Sequence, residues 1–435
     1  MTTPSPTRSA RCDIPAVHDA IAPVAVLQRE RRALYQFATD MMCPGAPETL
    51  DLDVVDSPIA RNRIGEALAG RAELACSELV GISAVTGELG RINSEGEGPR
   101  VVSRPDATTL FAEALSTVGA ELVRQRAALG PPRLLTATDG DQFASALSAL
   151  GEGIALARSL SSELIDNLLP HIALVAIVDP RHAARLASAS PRSFPGLVLL
   201  ESPSSQSSID VAEALVHEGA HQKFFDFAIT RDLLDVGSDR CPLFHPPWGP
   251  EDRQWPLEQT LAAGHAYACL ARFAHDAGVP VRRRAVAEHS LLPAASERCE
   301  IIGQWLLDSG SYLGSSAHTL LEGLLGRRPR PPAVAADRLT TTPVDYIPSS
   351  GLAFRRCGSA DRVLIGRTTS PLQLFWVSED AAMLLDLLGH KALDDVVDTF
   401  AHRWGVPQLD AHARLVQLLS DLSVSGLVTA PACRG

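Results

Sequence analysis

The segment His217-Glu218-Gly219-Ala220-His221 constrains the fold more than any other feature of the chain. Two histidines four residues apart lie one turn apart on the same side of an α-helix. The helix is predicted to be buried, because the residues around the motif are largely apolar: Val211, Ala212, Ala214, Leu215, Val216, Phe224 and Phe225. Buried histidines need partners, since an unpaired buried polar group costs about 1–3 kcal/mol. The pattern therefore predicts a metal ion bound by His217 and His221, with Glu218 as a catalytic residue beside it.

Composition excludes several classes of function. The chain has 435 residues, a formal net charge of −12 and 46% hydrophobic residues. This size and hydrophobic fraction predict a folded protein with two or three domains. The negative charge argues against nucleic-acid binding, which depends on neutralising phosphates. We expect no membrane span, because the sequence has no uninterrupted apolar stretch of about 18 residues.

The cysteines and the first residues predict a cytoplasmic protein. The eight cysteines are widely spread, and no two have CxxC spacing. The polar, Pro- and Ser-rich residues 1–20 contain no apolar signal segment, and we interpret them as a flexible N-terminus.

Apolar periodicity predicts a mostly α chain of the α+β class, with a helical catalytic domain over residues 21–326. This domain is expected to contain a few short strands, because continuous apolar runs at 171–178 and 195–201 have the length of buried strands. Its later helices are predicted to contain the metal motif and then to span 257–277 and 297–325.

A separate C-terminal domain is predicted over residues 351–430. It follows residues 327–350, which contain five prolines and few large apolar side chains and are interpreted as a linker. Three strands followed by three helices indicate a small winged-helix domain. The strands are predicted at 352–356, 362–367 and 372–377, and the helices at 378–388, 393–404 and 410–422.

A third metal ligand is predicted on the helix at 257–277. His265 is the preferred residue and Glu258 is the alternative; the two are seven residues apart and share a helix face. With Glu258 as third ligand and Glu218 as general base, the pattern is that of a zinc metallopeptidase of gluzincin type. Spacing alone does not decide between His265 and Glu258 as the third ligand.

Two stretches of sequence resemble known families. In the tail, LQLFWVSEDAAMLLDLLG and the closing SGLV resemble PqqD-like peptide-recognition elements. Upstream, SFPGLVLLESPSSQSSIDVAEALVHEGAHQ and PPWGPEDRQWPLEQTLAAGHAYACLARF are similar to HExxH-type peptide-modification proteins of ribosomal peptide biosynthesis. The resemblance covers roughly residues 170–277 and 350–430.

The resemblance implies an iron(II)/2-oxoglutarate-dependent hydroxylase acting on side-chain β-carbons of a ribosomally synthesised precursor peptide. It implies that His217 and His221 bind iron, with His265 as the third ligand. An arginine is expected to bind the distal carboxylate of 2-oxoglutarate, and Arg272 and Arg253 are the candidates. The family loop often reads Pro-Trp-Arg where this chain has Pro-Trp-Gly at 247–249, which weakens the transfer of that role to Arg253.

The resemblance also implies a partner. The C-terminal domain is expected to bind the leader of the precursor peptide as an added strand, which raises the local concentration of the peptide at the metal. One alternative is a zinc metallopeptidase acting on a precursor peptide, and a second is a non-catalytic peptide-binding scaffold. The sequence is compatible with either a monomer or a homodimer.

Overall fold

The computed structural model describes most of the chain. The described residues are 12–43, 51–75, 77, 79, 90–91, 99–105, 107–116, 133–179, 188–235, 237–250, 252–278, 290–327, 346–356, 362–368, 372–388, 390–391 and 393–429. They are mostly helical with small sheets, which confirms the predicted mostly α class. No helix among them has the length and apolar character needed to span a membrane.

The chain divides into two compact units. The first comprises residues 1–32, 50–63 and 75–333, and the second comprises residues 33–49, 64–74 and 334–435. The helices are α1 (Ile14–Ile21), α2 (Val24–Met42), α3 (Leu52–Val55), α4 (Pro58–Leu68), α5 (Ala107–Leu110), α6 (Asp141–Leu168), α7 (Ser208–Thr230), α8 (Leu257–Asp276), α9 (Ala295–Asp308), α10 (Ser315–Leu325), α11 (Glu379–Leu388), α12 (Leu393–Trp404) and α13 (Gln408–Val424). The strands are β1 (Gly90–Arg91), β2 (Arg100–Val101), β3 (Leu174–Val178), β4 (Ser188–Ala189), β5 (Leu197–Glu201), β6 (Ile347–Pro348), β7 (Leu352–Arg356), β8 (Arg362–Arg367), β9 (Gln373–Ser378) and β10 (Val428–Thr429).

The sheet of the first unit has the strand order β1-β2-β3-β5-β4. Its central strands β2, β3 and β5 are parallel, and the edge strands β1 and β4 are antiparallel to their neighbours. All of β3 and nearly all of β5 are buried, as expected for parallel strands covered on both faces. Both lie within the apolar runs predicted as strands.

Helix α7 carries the metal motif through the core of the first unit. It begins with a capping box, in which Ser207 Oγ accepts the N–H of Asp210 and Asp210 Oδ2 accepts the N–H of Ser207. It packs against α6 and α8. Gly153 of α6 permits a close approach, because a Cβ atom there would lie 2.4 Å from Val211 Cγ1. The prediction of a largely buried motif helix is therefore confirmed.

A buried ionic contact fixes the far end of α7. Asp226 accepts hydrogen bonds from Arg31 of α2 and from His171, each at 2.5 Å. Burial lowers the pKa of His171 to about 4, and Arg31 already balances the Asp226 charge. Neutral His171 thus completes the contact, and its charged form is unfavourable in the folded chain.

We expect His171 to make stability depend on pH. The unfolded chain binds a proton there below about pH 6.5, whereas the folded chain does so only near pH 4, so acidification favours unfolding between these values. Urea titrations near pH 6.5 and about pH 5 should show wild type losing about 1.5 kcal/mol more than His171→Gln. The exposed His275 serves as control, and His275→Gln should behave as wild type. Equal losses in wild type and His171→Gln would contradict this.

Two predictions for the first unit are wrong in part. Residues 14–20 belong to helix α1, which Asp13 caps and whose His18 is fully buried, rather than to a loose N-terminal segment; residues 1–11 lie outside the described part. The helix predicted over 297–325 is two helices, α9 and α10. The chain turns between them, because Leu313 pairs with Leu234 in a β-bridge and Gly314 lies against Asp232.

The second unit contains a three-stranded antiparallel sheet of order β7-β8-β9, followed by helices α11, α12 and α13. These elements begin and end within two residues of their predicted bounds. Their core is apolar and includes Val363, Ile365, Leu384, Phe400 and Leu415. Of the proposed linker, residues 328–345 lie outside the described part, and β6 pairs with β10 near the end of the chain.

Candidate metal centre

A cavity of about 590 Å³ in the first unit contains the motif residues. Helices α7 and α8 form two of its walls, and β4, the loop at 244–255 and α9 complete the lining. The loop is closed at its base, since Phe244 and Trp255 exchange two backbone hydrogen bonds of 2.9 Å. This closure places Trp248 and Arg253 in the lining.

His217 and His221 present their Nε2 atoms to each other at 3.1 Å inside this cavity. Burial lowers the pKa of each to about 4, so both rings are neutral at pH 7. Two nitrogens bound to one ion at about 2.1 Å, in tetrahedral or cis octahedral positions, lie about 3.0–3.4 Å apart. The observed separation therefore fits two ligands of one metal ion.

The surroundings of these rings restrict their movement. Phe225 stacks against His221 at 6.5 Å, and Tyr267 of α8 lies edge-on to His217 at the same centroid distance. His217 Nδ1 is buried and has no hydrogen-bond partner among the described residues. The rings are thus oriented mainly by packing, with their Nε2 atoms towards the cavity.

His265 does not join His217 and His221, so its prediction as the third ligand is not supported. Its Nε2 atom lies 2.7 Å from Nε2 of His18, outside the cavity lining. Helix geometry gives the reason: the α8 residues that line the cavity centre on Gln259, Ala262 and Ala263 and continue to Tyr267, and His265 lies more than about 90° around the helix axis from the middle of that set. Glu258, in the first turn of α8, does line the cavity.

Two carboxylates line the cavity beside the histidines. Glu258 is paired with Arg192 at 2.5 Å, and the side chain of Arg192 is 72% exposed. Glu218 is buried and accepts a hydrogen bond of 2.7 Å from Ser188 of β4. Among the described residues, no third Asp, Glu, His or Cys atom forms a cluster within 4.8 Å with His217 and His221. A carboxylate ligand therefore has to turn towards them when a metal binds.

Of the two arginines predicted to bind 2-oxoglutarate, only Arg253 lines the cavity, and a third arginine, Arg298, lines it as well. Arg272 lies outside the cavity lining, where it donates to Asp276 and to the carbonyl oxygen of Cys12, so its predicted role is not supported. Arg253 lines the cavity and is exposed. Arg298 of α9, which the sequence analysis missed, also lines it and is half-buried. It donates to Tyr267 Oη at 2.9 Å and covers the ring of Trp248 at 5.0 Å.

The cavity thus combines potential metal ligands with arginine side chains. Within the described part of the chain, neither Arg253 nor Arg298 forms a salt bridge, so both can bind an anion. Neutral imidazoles, carboxylates and arginines in one cavity suit a metal ion together with an anionic small molecule. No protein-family model matches the chain, and no curated protein is similar to it.

Proposed function

We propose that this chain is an iron(II)/2-oxoglutarate-dependent hydroxylase that modifies side-chain β-carbons of a ribosomally synthesised precursor peptide. The observation that carries the proposal is the pair of Nε2 atoms of His217 and His221, 3.1 Å apart in a cavity lined by carboxylates and arginines. Neutral imidazole is the form of histidine that binds a metal ion, and the arginines provide for an anionic cosubstrate.

His217, His221 and Glu258 are the proposed ligands. Two histidines and one carboxylate on one side of an ion are typical of non-haem iron oxygenases and leave positions for other ligands. Releasing Glu258 from the exposed Arg192 costs little, because surface ion pairs contribute only about 0–1 kcal/mol. Iron(II) bound there would supply, with 2-oxoglutarate and dioxygen, the oxidising power to hydroxylate a C–H bond.

The other cavity residues have distinct proposed roles. Arg298 would bind the distal carboxylate of 2-oxoglutarate, since it is less exposed than Arg253 and is positioned by Tyr267. Trp248 forms an apolar part of the lining that excludes water. Glu218 holds Ser188 and thereby positions strand β4 at the cavity; its role as the catalytic residue stays a prediction.

A zinc metallopeptidase is the second candidate. The observation that favours it is that Glu218 and Glu258 both line the cavity beside the two histidines. In that reading Glu258 binds zinc and Glu218 acts as general base on the attacking water. The two candidates use the same metal ligands, but the hydroxylase consumes 2-oxoglutarate and dioxygen, whereas the peptidase consumes water.

Binding and turnover of 2-oxoglutarate test the proposal without knowledge of the peptide. Adding 2-oxoglutarate to the anaerobic iron(II) protein should produce a visible metal-to-ligand charge-transfer band, and admitting dioxygen should produce succinate. With the precursor peptide, the product should gain one oxygen atom. Zinc-supported peptide cleavage that persists without dioxygen would establish the metallopeptidase instead. Tight peptide binding with no bound metal would establish the non-catalytic scaffold.

The second unit is the proposed binding site for the leader peptide. Among the described strands, β9 is an edge of the sheet, and an exposed edge can pair with an extended peptide. A groove of about 550 Å³ runs beside the start of β9 and the end of α13, and its lining includes Leu374, Phe375 and Val424. Val424 is 48% exposed, which leaves an apolar surface for a peptide side chain.

We expect Val424→Asp to weaken leader-peptide binding at least about tenfold, because a carboxylate replaces an apolar contact in the groove. Turnover at saturating peptide should be unchanged, since the metal site lies in the first unit. Leu409→Asp is the matched control: Leu409 is on the same helix, is 80% exposed and does not line the groove. Isothermal titration calorimetry measures the affinities, and equal binding by both variants would place the leader site elsewhere.

A further inference from the structure

A second cluster of potential metal ligands lies in the first unit, apart from the cavity. It consists of His18 of α1 with His265 and Cys269 of α8, and one ligand atom from each lies within 4.8 Å of the others. All three residues are fully or almost fully buried. The Nε2 atoms of the histidines are 2.7 Å apart, and Cys269 Sγ is 3.8 Å from His265 Nε2.

A hydrogen bond from outside the cluster orients His18 for metal binding. Asn167 Oδ1 lies 2.6 Å from His18 Nδ1 and also accepts a hydrogen bond from Lys223 Nζ. The oxygen can only accept, so His18 Nδ1 donates and carries the ring proton. The lone pair of Nε2 therefore points towards His265. Metal-binding histidines in proteins commonly have their second nitrogen held in this way.

Hydrogen bonds alone do not pair every nitrogen lone pair in this cluster. His265 Nδ1 is buried and makes no well-aligned hydrogen bond among the described residues, although the ring interacts with the backbone of Ala220. If His265 Nε2 donates to His18, its Nδ1 lone pair stays unpaired; if Nδ1 carries the proton, two lone pairs face each other at 2.7 Å. A cation bound by both Nε2 atoms would remove the repulsion in the second case, and the rings would separate from 2.7 Å to about 3.0–3.4 Å to accept it.

We propose that His18, His265 and Cys269 form a second, structural metal site for a thiophilic d¹⁰ cation, zinc(II) or copper(I). Two imidazoles and one thiolate are the donor set that these soft ions prefer. Binding releases the thiol proton of Cys269 to solvent, and the thiolate supplies the negative charge that a buried cation beside Lys223 requires. The site would tie α1 to α8, two elements about 250 residues apart in the sequence.

The two sites can be tested separately. In a His217→Ala/His221→Ala variant, which lacks the proposed iron ligands, zinc(II) or copper(I) should still bind at about one ion per chain after dialysis. Elemental analysis measures bound zinc(II), and competition with a chromogenic copper(I) chelator measures bound copper(I). Binding of either ion supports the site, and binding of neither overturns it. A failure of the iron proposal leaves this result unaffected.

Cobalt(II) and a cysteine pair locate the ion. Cobalt(II) bound to the same double variant should show a thiolate-to-metal charge-transfer band in the near ultraviolet, and its absence from folded protein that also binds no copper(I) would overturn the site. Cys269→Ser in that background should lose the band and at least about tenfold in zinc affinity. Cys299→Ser, another buried cysteine in the first unit, should retain both. Retention by Cys269→Ser would also overturn the proposal.

Discussion

Replacing His221 by alanine is expected to lower 2-oxoglutarate turnover at least about a thousandfold, because the cavity then retains one imidazole and cannot hold iron in place. The same variant should lose the charge-transfer band of the anaerobic iron complex. His221 is only partly buried at the cavity, so the fold should survive the change. Iron content, the band and succinate formation are measured on the same preparation.

His275→Ala provides the control for this experiment. His275 lies near the end of α8, is exposed and does not line the cavity, so all three measurements should match wild type. A His221→Ala protein that still formed succinate at the wild-type rate would place the chemistry outside this cavity. Glu258→Ala should resemble His221→Ala if Glu258 is the third ligand.

The second large effect is expected at Arg298. Changing it to alanine should raise the KM for 2-oxoglutarate about a hundredfold, which corresponds to about 2.7 kcal/mol, because the distal carboxylate loses its cation in a partly buried site. Arg298→Lys should restore part of the affinity, since it keeps the charge and loses the two-pronged geometry. Iron binding should be unchanged in both variants.

Arg272→Ala separates this expectation from the sequence-based one. Arg272 lies outside the cavity lining and is paired with Asp276, so its removal should leave the KM for 2-oxoglutarate unchanged. A normal KM in Arg298→Ala together with a raised KM in Arg253→Ala would assign the carboxylate to the exposed arginine of the loop. Steady-state succinate assays measure all three variants.

Local sequence patterns predicted many of the helices and strands, because the spacing of apolar residues in a segment reflects which of its side chains are buried. The apolar runs became β3 and β5, and the motif helix is buried around His217 and His221. The three strands and three helices of the second unit also follow from local alternation and periodicity. Its additional residues 33–49 and 64–74 do not, since they precede the rest of the unit by hundreds of residues.

The composition of the site was harder to predict for a geometric reason. Helical spacing places Glu258 and His265 on one side of α8, but it does not say which side of the helix faces the cavity. The cavity-lining residues of α8 centre on Gln259, Ala262 and Ala263, so Glu258 lies at the border of the lining and His265 lies outside it. His18 and Arg298 come from distant segments with no motif of their own, so only tertiary structure brings them next to α8.

The burial of α7 determines which parts of the site can change during evolution. Gly219 and the apolar side chains of this helix are packed on nearly every side, so a substitution there disturbs the core before it alters the cavity. The loop at 244–255 and strand β4 carry fewer such constraints. Under the proposed function, new peptide preferences in related chains should therefore arise from replacements in those two segments, while the helix with the two proposed metal ligands stays the same.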